Sequence, residues 1–217
     1  MTPRQADGAS SGRDNQKLRT RLAIVEACRE LIRSGRVVTM PEVARRALIS
    51  EATAYRHFPD LVSLVKEALG GLWPSPAEAL EPVKGSHDPV ERIGFACEFL
   101  LRRVLAYEGS TRAVIAATVS RPDQSPNRPG FRFGLIDEAL DPVTSDLPDL
   151  STDQLAQLKL DLAAVVSADA LFSLIDLCRV SADEAVASLV RTARTITQAA
   201  LQRSGPGGDA RIVAPAR

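Results

Sequence analysis

The chain has 217 residues, enough for one large or two small domains with a buried core, and it balances 27 Lys+Arg against 27 Asp+Glu. A net charge of zero gives a nucleic-acid binder no support by itself, yet residues 1–70 hold 12 basic and 8 acidic side chains and the remainder 15 and 19. Three well-separated cysteines, two histidines and the lack of CxxC or HExxH spacing exclude a disulfide framework and argue against a metal, so neither cofactor nor metal is expected.

In chain order, residues 1–14 are rich in Gly, Ser and polar groups and predict a disordered arm. A first helix follows from about Asn15 to Ser34, with Leu18, Leu22, Val25, Cys28 and Ile32 at helical spacing and Gly35 as its stop. Lys17, Arg19 and Arg21 crowd its beginning, where the helix dipole disfavours cations; a nearby phosphate would explain them, and so would ordinary solvation.

The stretch Thr39 to Phe58, TMPEVARRALISEATAYRHF, predicts two short helices and a tight turn. Thr39 caps the first, Glu42 reaches back to the cap amide, and Pro41 sits harmlessly in the first turn. Val43, Ala44 and Ala47 form a small inner face, Leu48-Ile49 the corner, and Ser50 caps a second helix whose inner side is Ala54 and Phe58. Such small residues let two helices cross closely. Outward lie Glu51, Thr53, Tyr55, Arg56 and His57, nearly all hydrogen-bonding groups suited to base edges and phosphates.

The run Ala47-Leu48-Ile49-Ser50-Glu51-Ala52-Thr53-Ala54-Tyr55-Arg56-His57-Phe58 resembles the AGVSxxTxYxHF string of the TetR family of one-component bacterial transcriptional regulators, over roughly residues 17–72. Two departures stand out. Leu48 replaces the usual turn glycine, so either it accepts a left-handed backbone or the turn has another shape, and Pro59-Asp60-Leu61 replaces the Lys or Arg often found after the HF pair. The resemblance implies a three-helix helix-turn-helix DNA-binding head (15–72), with Thr53 and Glu51 on base edges, Tyr55 and His57 on phosphates and Arg56 on either. The candidate DNA-binding set is Lys17, Arg21, Thr39, Ser50, Glu51, Thr53, Tyr55, Arg56 and His57, and in several relatives the N-terminal arm reaches the minor groove.

Asp60 predicts the cap of a fourth helix ending at Gly70-Gly71. Residues 73–88 carry prolines at a density that leaves a linker with at most a short helical turn. Beyond it, residues 89–203 predict an antiparallel helical bundle: Val90 to about Tyr107, broken by Gly109-Ser110; Thr111 to Val119; a loop at 120–130; Phe131 to Leu140, closed by Asp141-Pro142. Capping signals at Ser151 and Ser181 open two long helices, to about Cys178 and Gln202. Residues 204–217 predict a disordered tail. Cys28, Cys97 and Cys178 read as buried thiols in a reducing compartment, and without a signal peptide or a long apolar run the chain is expected in the cytoplasm, away from membranes.

The fold expected is thus all-α, a head followed by a ligand-binding and dimerisation domain, and no catalytic constellation marks an enzyme. In the resembled family the last two helices pair with their copies in a second subunit, which implies a homodimer on a palindromic operator of double-stranded DNA, most often as a repressor released by a small effector. Phe95, Phe99, Tyr107, Phe131, Phe133, Asp169 and Phe172 are the candidate ligand-binding residues, although aromatics at helical spacing equally make a core. Asp169 continues the apolar line Leu158, Leu162, Val165 and must either take up a proton or find a partner, be it an arginine, a helix end or a cationic ligand. The alternative is a helical dimeric protein-interaction module with lost or altered DNA binding.

Overall fold

The structure, a computed structural model, describes residues 8–70, 73–120, 130–144 and 150–203, and every regular element among them is helical. These elements are α1 (Gly8–Arg33), α2 (Met40–Arg46), α3 (Glu51–His57), α4 (Leu61–Leu69), α5 (Pro76–Ala79), a 3-10 turn (Glu81–Val83), α6 (Pro89–Ala106), α7 (Glu108–Ser120), α8 (Phe131–Thr144), α9 (Thr152–Val165), α10 (Ala168–Asp176) and α11 (Ala182–Arg203). Among the described residues no helix is long and apolar enough to cross a membrane.

Two compact units divide the chain, the first built from α1–α4 with α7, the second from α5, α6 and α8–α11. The first surrounds a core of Ile24, Cys28, Leu31, Val43, Ala54, Phe58, Leu64 and Val65, to which α7 adds Val114. α7 therefore belongs with the first unit rather than with the 89–203 region expected to hold it. Gly109-Ser110 do not break the chain as expected but lie inside the first turn of α7. A Cβ at Gly109 would stand 3.1 Å from the Arg36 carbonyl, so glycine is what lets this turn approach the α1–α2 loop.

α1 begins seven residues before its expected start, so 8–14 are helical rather than disordered; the rest of the expected arm and the tail at 204–217 lie outside the described residues. No proline interrupts the chain from Gly8 to Asn15. Leu18 and Leu22 point to solvent, 55% and 58% exposed, and the buried stripe of α1 starts only at Ile24.

In the second unit α11 packs on α6, α9 and α10 through Ala185, Val186, Leu189, Val190, Ala193 and Thr197, the last donating its hydroxyl to the Ala193 carbonyl. The expected 73–88 linker is more ordered than its prolines suggest. Ser75 and Glu78 form a reciprocal capping box for α5, and Ala79 and Leu80 are buried. The long helix expected from Ser151 to Cys178 is two: the chain leaves helix at Val166-Ser167, and Ser167 caps α10 by accepting from the Ala170 amide at 3.1 Å. Cys178, beyond α10, is exposed, contrary to expectation, while burial pushes the Cys28 and Cys97 thiols up to about 12.

α8 also outruns its expected end at Asp141-Pro142. Proline has no amide to offer the Glu138 carbonyl one turn back, but Arg92 supplies the donor: its guanidinium, 3% exposed, reaches the carbonyls of Glu138 (2.8 Å), Ala139 (3.0 Å) and Val83 (2.9 Å). A buried cation thereby joins α6, α8 and the turn after α5 through main-chain acceptors alone.

Candidate nucleic-acid interface

The α2–α3 region is held by short-range bonds. The Thr39 hydroxyl accepts from the Glu42 amide at 3.3 Å; the reciprocal arm of the expected capping box is absent, because the Glu42 carboxylate is taken by Arg45 (Nε at 3.0 Å) and Arg36 (3.4 Å). α2 closes in a Schellman turn, with the Ile49 amide on the Ala44 carbonyl (3.0 Å) and the Leu48 amide on the Arg45 carbonyl (3.3 Å). That turn needs a left-handed residue, and Leu48 adopts it at φ 55° with its side chain 93% exposed. The shape associated with glycine is thus kept, at a steric cost of about 1–2 kcal/mol.

Ser50 opens α3 by accepting from the Thr53 amide at 3.2 Å, and the two hydroxyls lie 2.9 Å apart. Ala54 and Phe58, four residues apart, are buried on the inner side; Glu51, Ala52, Tyr55 and Arg56 are exposed on the outer; Thr53 and His57 lie half-buried along the flank. Asp60 caps α4, accepting from the Ser63 amide at 2.7 Å.

Arg21, expected on a phosphate, is engaged inside the unit. Its guanidinium lies 4.2 Å over the Phe58 ring, donates to the His57 carbonyl at 2.9 Å and pairs with both oxygens of Glu67 on α4. It ties α1 and α4 to the end of α3, and no local spacing in the sequence announced a bond 46 residues long. The other arginines of α1 and α2 divide in the same way: Arg33, Arg45 and Arg46 pair with Glu26, Glu42 and Glu30. Lys17, Arg19 and Arg56 make no ion pair with a described residue.

His57 lies within reach of two of them, Lys17 and Arg56, and of Arg21. Burial first, then the charges of Arg56, Arg21 and Lys17, hold its imidazole below the usual histidine range. Lys17 and Arg21 of α1 and Arg56 of α3 therefore act on one imidazole, and an anion placed beside His57 would favour its protonated form. Thr39 and Ser50 spend their hydroxyls as caps at the two helix starts.

The residues expected to bind a ligand do not converge. Tyr107 belongs to the first unit, stacked on Trp73 with ring centroids 6.3 Å apart. In the second unit Phe99 and Phe131 touch, centroids 6.5 Å apart, Phe95 is half-buried, Phe172 is core, and Phe133 is 48% exposed with Arg132 4.9 Å above its ring. Asp169 does not continue one stripe, since the helix stops before it. It sits half-buried in the first turn of α10, where an acid complements the helix dipole. Two grooves of the second unit, between α6 and α11 and between α9 and α11, are lined by other residues. Among the described residues no group of three or more His, Cys, Asp or Glu side chains could hold a metal ion. No protein-family model matches the chain, and no match is found among curated proteins.

Proposed function

We propose that the chain is a sequence-specific DNA-binding transcriptional regulator of the TetR type, acting as a homodimer in which α2, the Leu48 turn and α3 form a helix-turn-helix. One observation carries it: α3 is locked from behind by Ala54, Phe58 and Arg21, while its outer face offers Glu51, Tyr55 and Arg56 near the unpaired Lys17. A short polar helix on a rigid seat, next to cations with no internal use, suits a DNA groove flanked by phosphates. Glu51 would accept from a cytosine N4 amine, and Tyr55, Arg56, His57 and Lys17 would hold the backbone.

In a symmetric dimer clasped through its C-terminal helices, two copies of α3 would meet half-sites about 34–36 Å apart. An effector bound in the second unit would act only through its preference for one head spacing, and repression relieved by that effector is the output we propose. The competing possibility, a helical dimer that binds protein instead, draws on Leu48, an aliphatic side chain 93% exposed beside α3. Selection of bound fragments from random duplex DNA separates the two. A recovered site with twofold symmetry supports the regulator; failure to enrich any sequence supports the protein-binding dimer.

A further inference from the structure

The groove between α6 and α11, about 480 Å³, has a cationic wall that the second unit does not neutralise. Val186 and Val190 form its apolar floor, and Glu98, Arg102, Arg191 and Arg194 line it, with Arg191 and Arg194 unbalanced by any carboxylate of the groove. Arg102 is shared between Glu98, 3.7 Å away, and Asp183. Arg191 and Arg194, three residues apart on one face of α11, make no ion pair with any described residue. A second feature places one of them. Gly94, in the middle of α6, has no Cβ, and one built there would fall 2.9 Å from the Arg194 Cζ and closer still to its Nε. The guanidinium therefore lies against the α6 backbone, where a side chain at position 94 would push it aside.

Two arginines without carboxylates, one of them seated, over an aliphatic floor in a groove of ligand size describe a receptor for an organic anion. We propose that the α6–α11 groove binds a small amphipathic carboxylate, its planar head between Arg191 and Arg194 and its apolar body on Val186 and Val190. Glu98 stands on the Arg102 side and turns the head of the ligand away from itself. The proposal is independent of DNA binding, so either can fail alone.

The test is a fluorescence titration of the full chain with 2-naphthoate, beside its uncharged isostere 2-naphthamide and beside inorganic phosphate as competitor. Saturable binding of 2-naphthoate below about 1 mM is expected, weakened about tenfold by Arg191→Ala and by Arg194→Ala, and unchanged by Arg132→Ala on α8. Gly94→Ala displaces the Arg194 guanidinium and is expected to weaken binding similarly; because this variant adds a methyl to a buried helix, the two surface arginine variants decide if it misfolds. Equal binding of 2-naphthamide, equal competition by phosphate, unchanged affinity in both arginine variants, or no binding at all would overturn the proposal. So would a dimer that dissociates on Arg191→Ala, since the groove would then belong to a second copy of the chain.

Discussion

Around α3 each helix start is held by a side chain three residues from its target amide, at Thr39, Ser50 and Asp60, whereas the second unit turns on Arg92, whose bonds cross 46 and 47 residues to α8. Local caps fail one at a time and cost about 1 kcal/mol each. A buried guanidinium on three carbonyls fails all at once, because removing it takes a donor from all three and leaves the Glu138 carbonyl, which faces Pro142, with no helical amide to replace it. Within the first unit the same contrast recurs between the Ser50 cap and the Arg21 brace.

The largest effect should come from the seat of α3. Phe58→Ala removes a ring 1% exposed together with the surface under the Arg21 guanidinium, and is expected to cost about 3–5 kcal/mol in denaturant unfolding followed at the first unit. A loss under 1 kcal/mol would mean that α3 is not anchored there. Next comes Arg92→Leu, which keeps the volume apolar but removes the guanidinium from the Glu138 and Ala139 carbonyls and leaves Val83 only the Ser86 amide. A loss of about 3 kcal/mol is expected, with amide exchange quickening first in α8 around Pro142; uniform exchange would show that α8 does not depend on Arg92.

Leu48→Gly runs the other way. Relief of the left-handed backbone should stabilise the first unit by about 1 kcal/mol, less the entropy a glycine returns to the unfolded chain. Destabilisation would show that the exposed leucine is held by something of greater value than the strain.

The smallest effect concerns His57. Its folded pKa lies below the usual value, so near and below that value the unfolded chain holds more protons and stability declines as pH falls through the histidine range. A phosphate beside the ring would reverse the preference. DNA affinity should therefore rise over the same fall in pH, with proton uptake measurable by titration calorimetry in two buffers, and both trends should vanish in His57→Gln. Affinity independent of pH would place His57 away from the backbone.

What was legible in the sequence followed the range of each interaction. The caps at Thr39, Ser50, Asp60, Ser151 and Ser181 are written within four residues, and the structure uses all five. Ser167 carries the same signal but was hidden by an apolar line that runs on from Val165 to Phe172 on either side of the break. Arg21 and Arg92 gave no sign, since their partners lie on other helices. Aromatic residues at helical spacing could not report a pocket, because spacing places a side chain on a face and not against a ligand. Tyr107 went to Trp73 in the other unit, and the groove with unspent charge is lined by arginines instead.

The salt dependence of binding to a selected duplex probes the α3 surface most directly. The regulator proposed here should lose affinity steeply and log-linearly with salt, and Lys17→Ala and Arg56→Ala should each make that slope shallower by about one. Affinity that ignores salt, or slopes that both variants leave untouched, would contradict a role for this face in holding DNA.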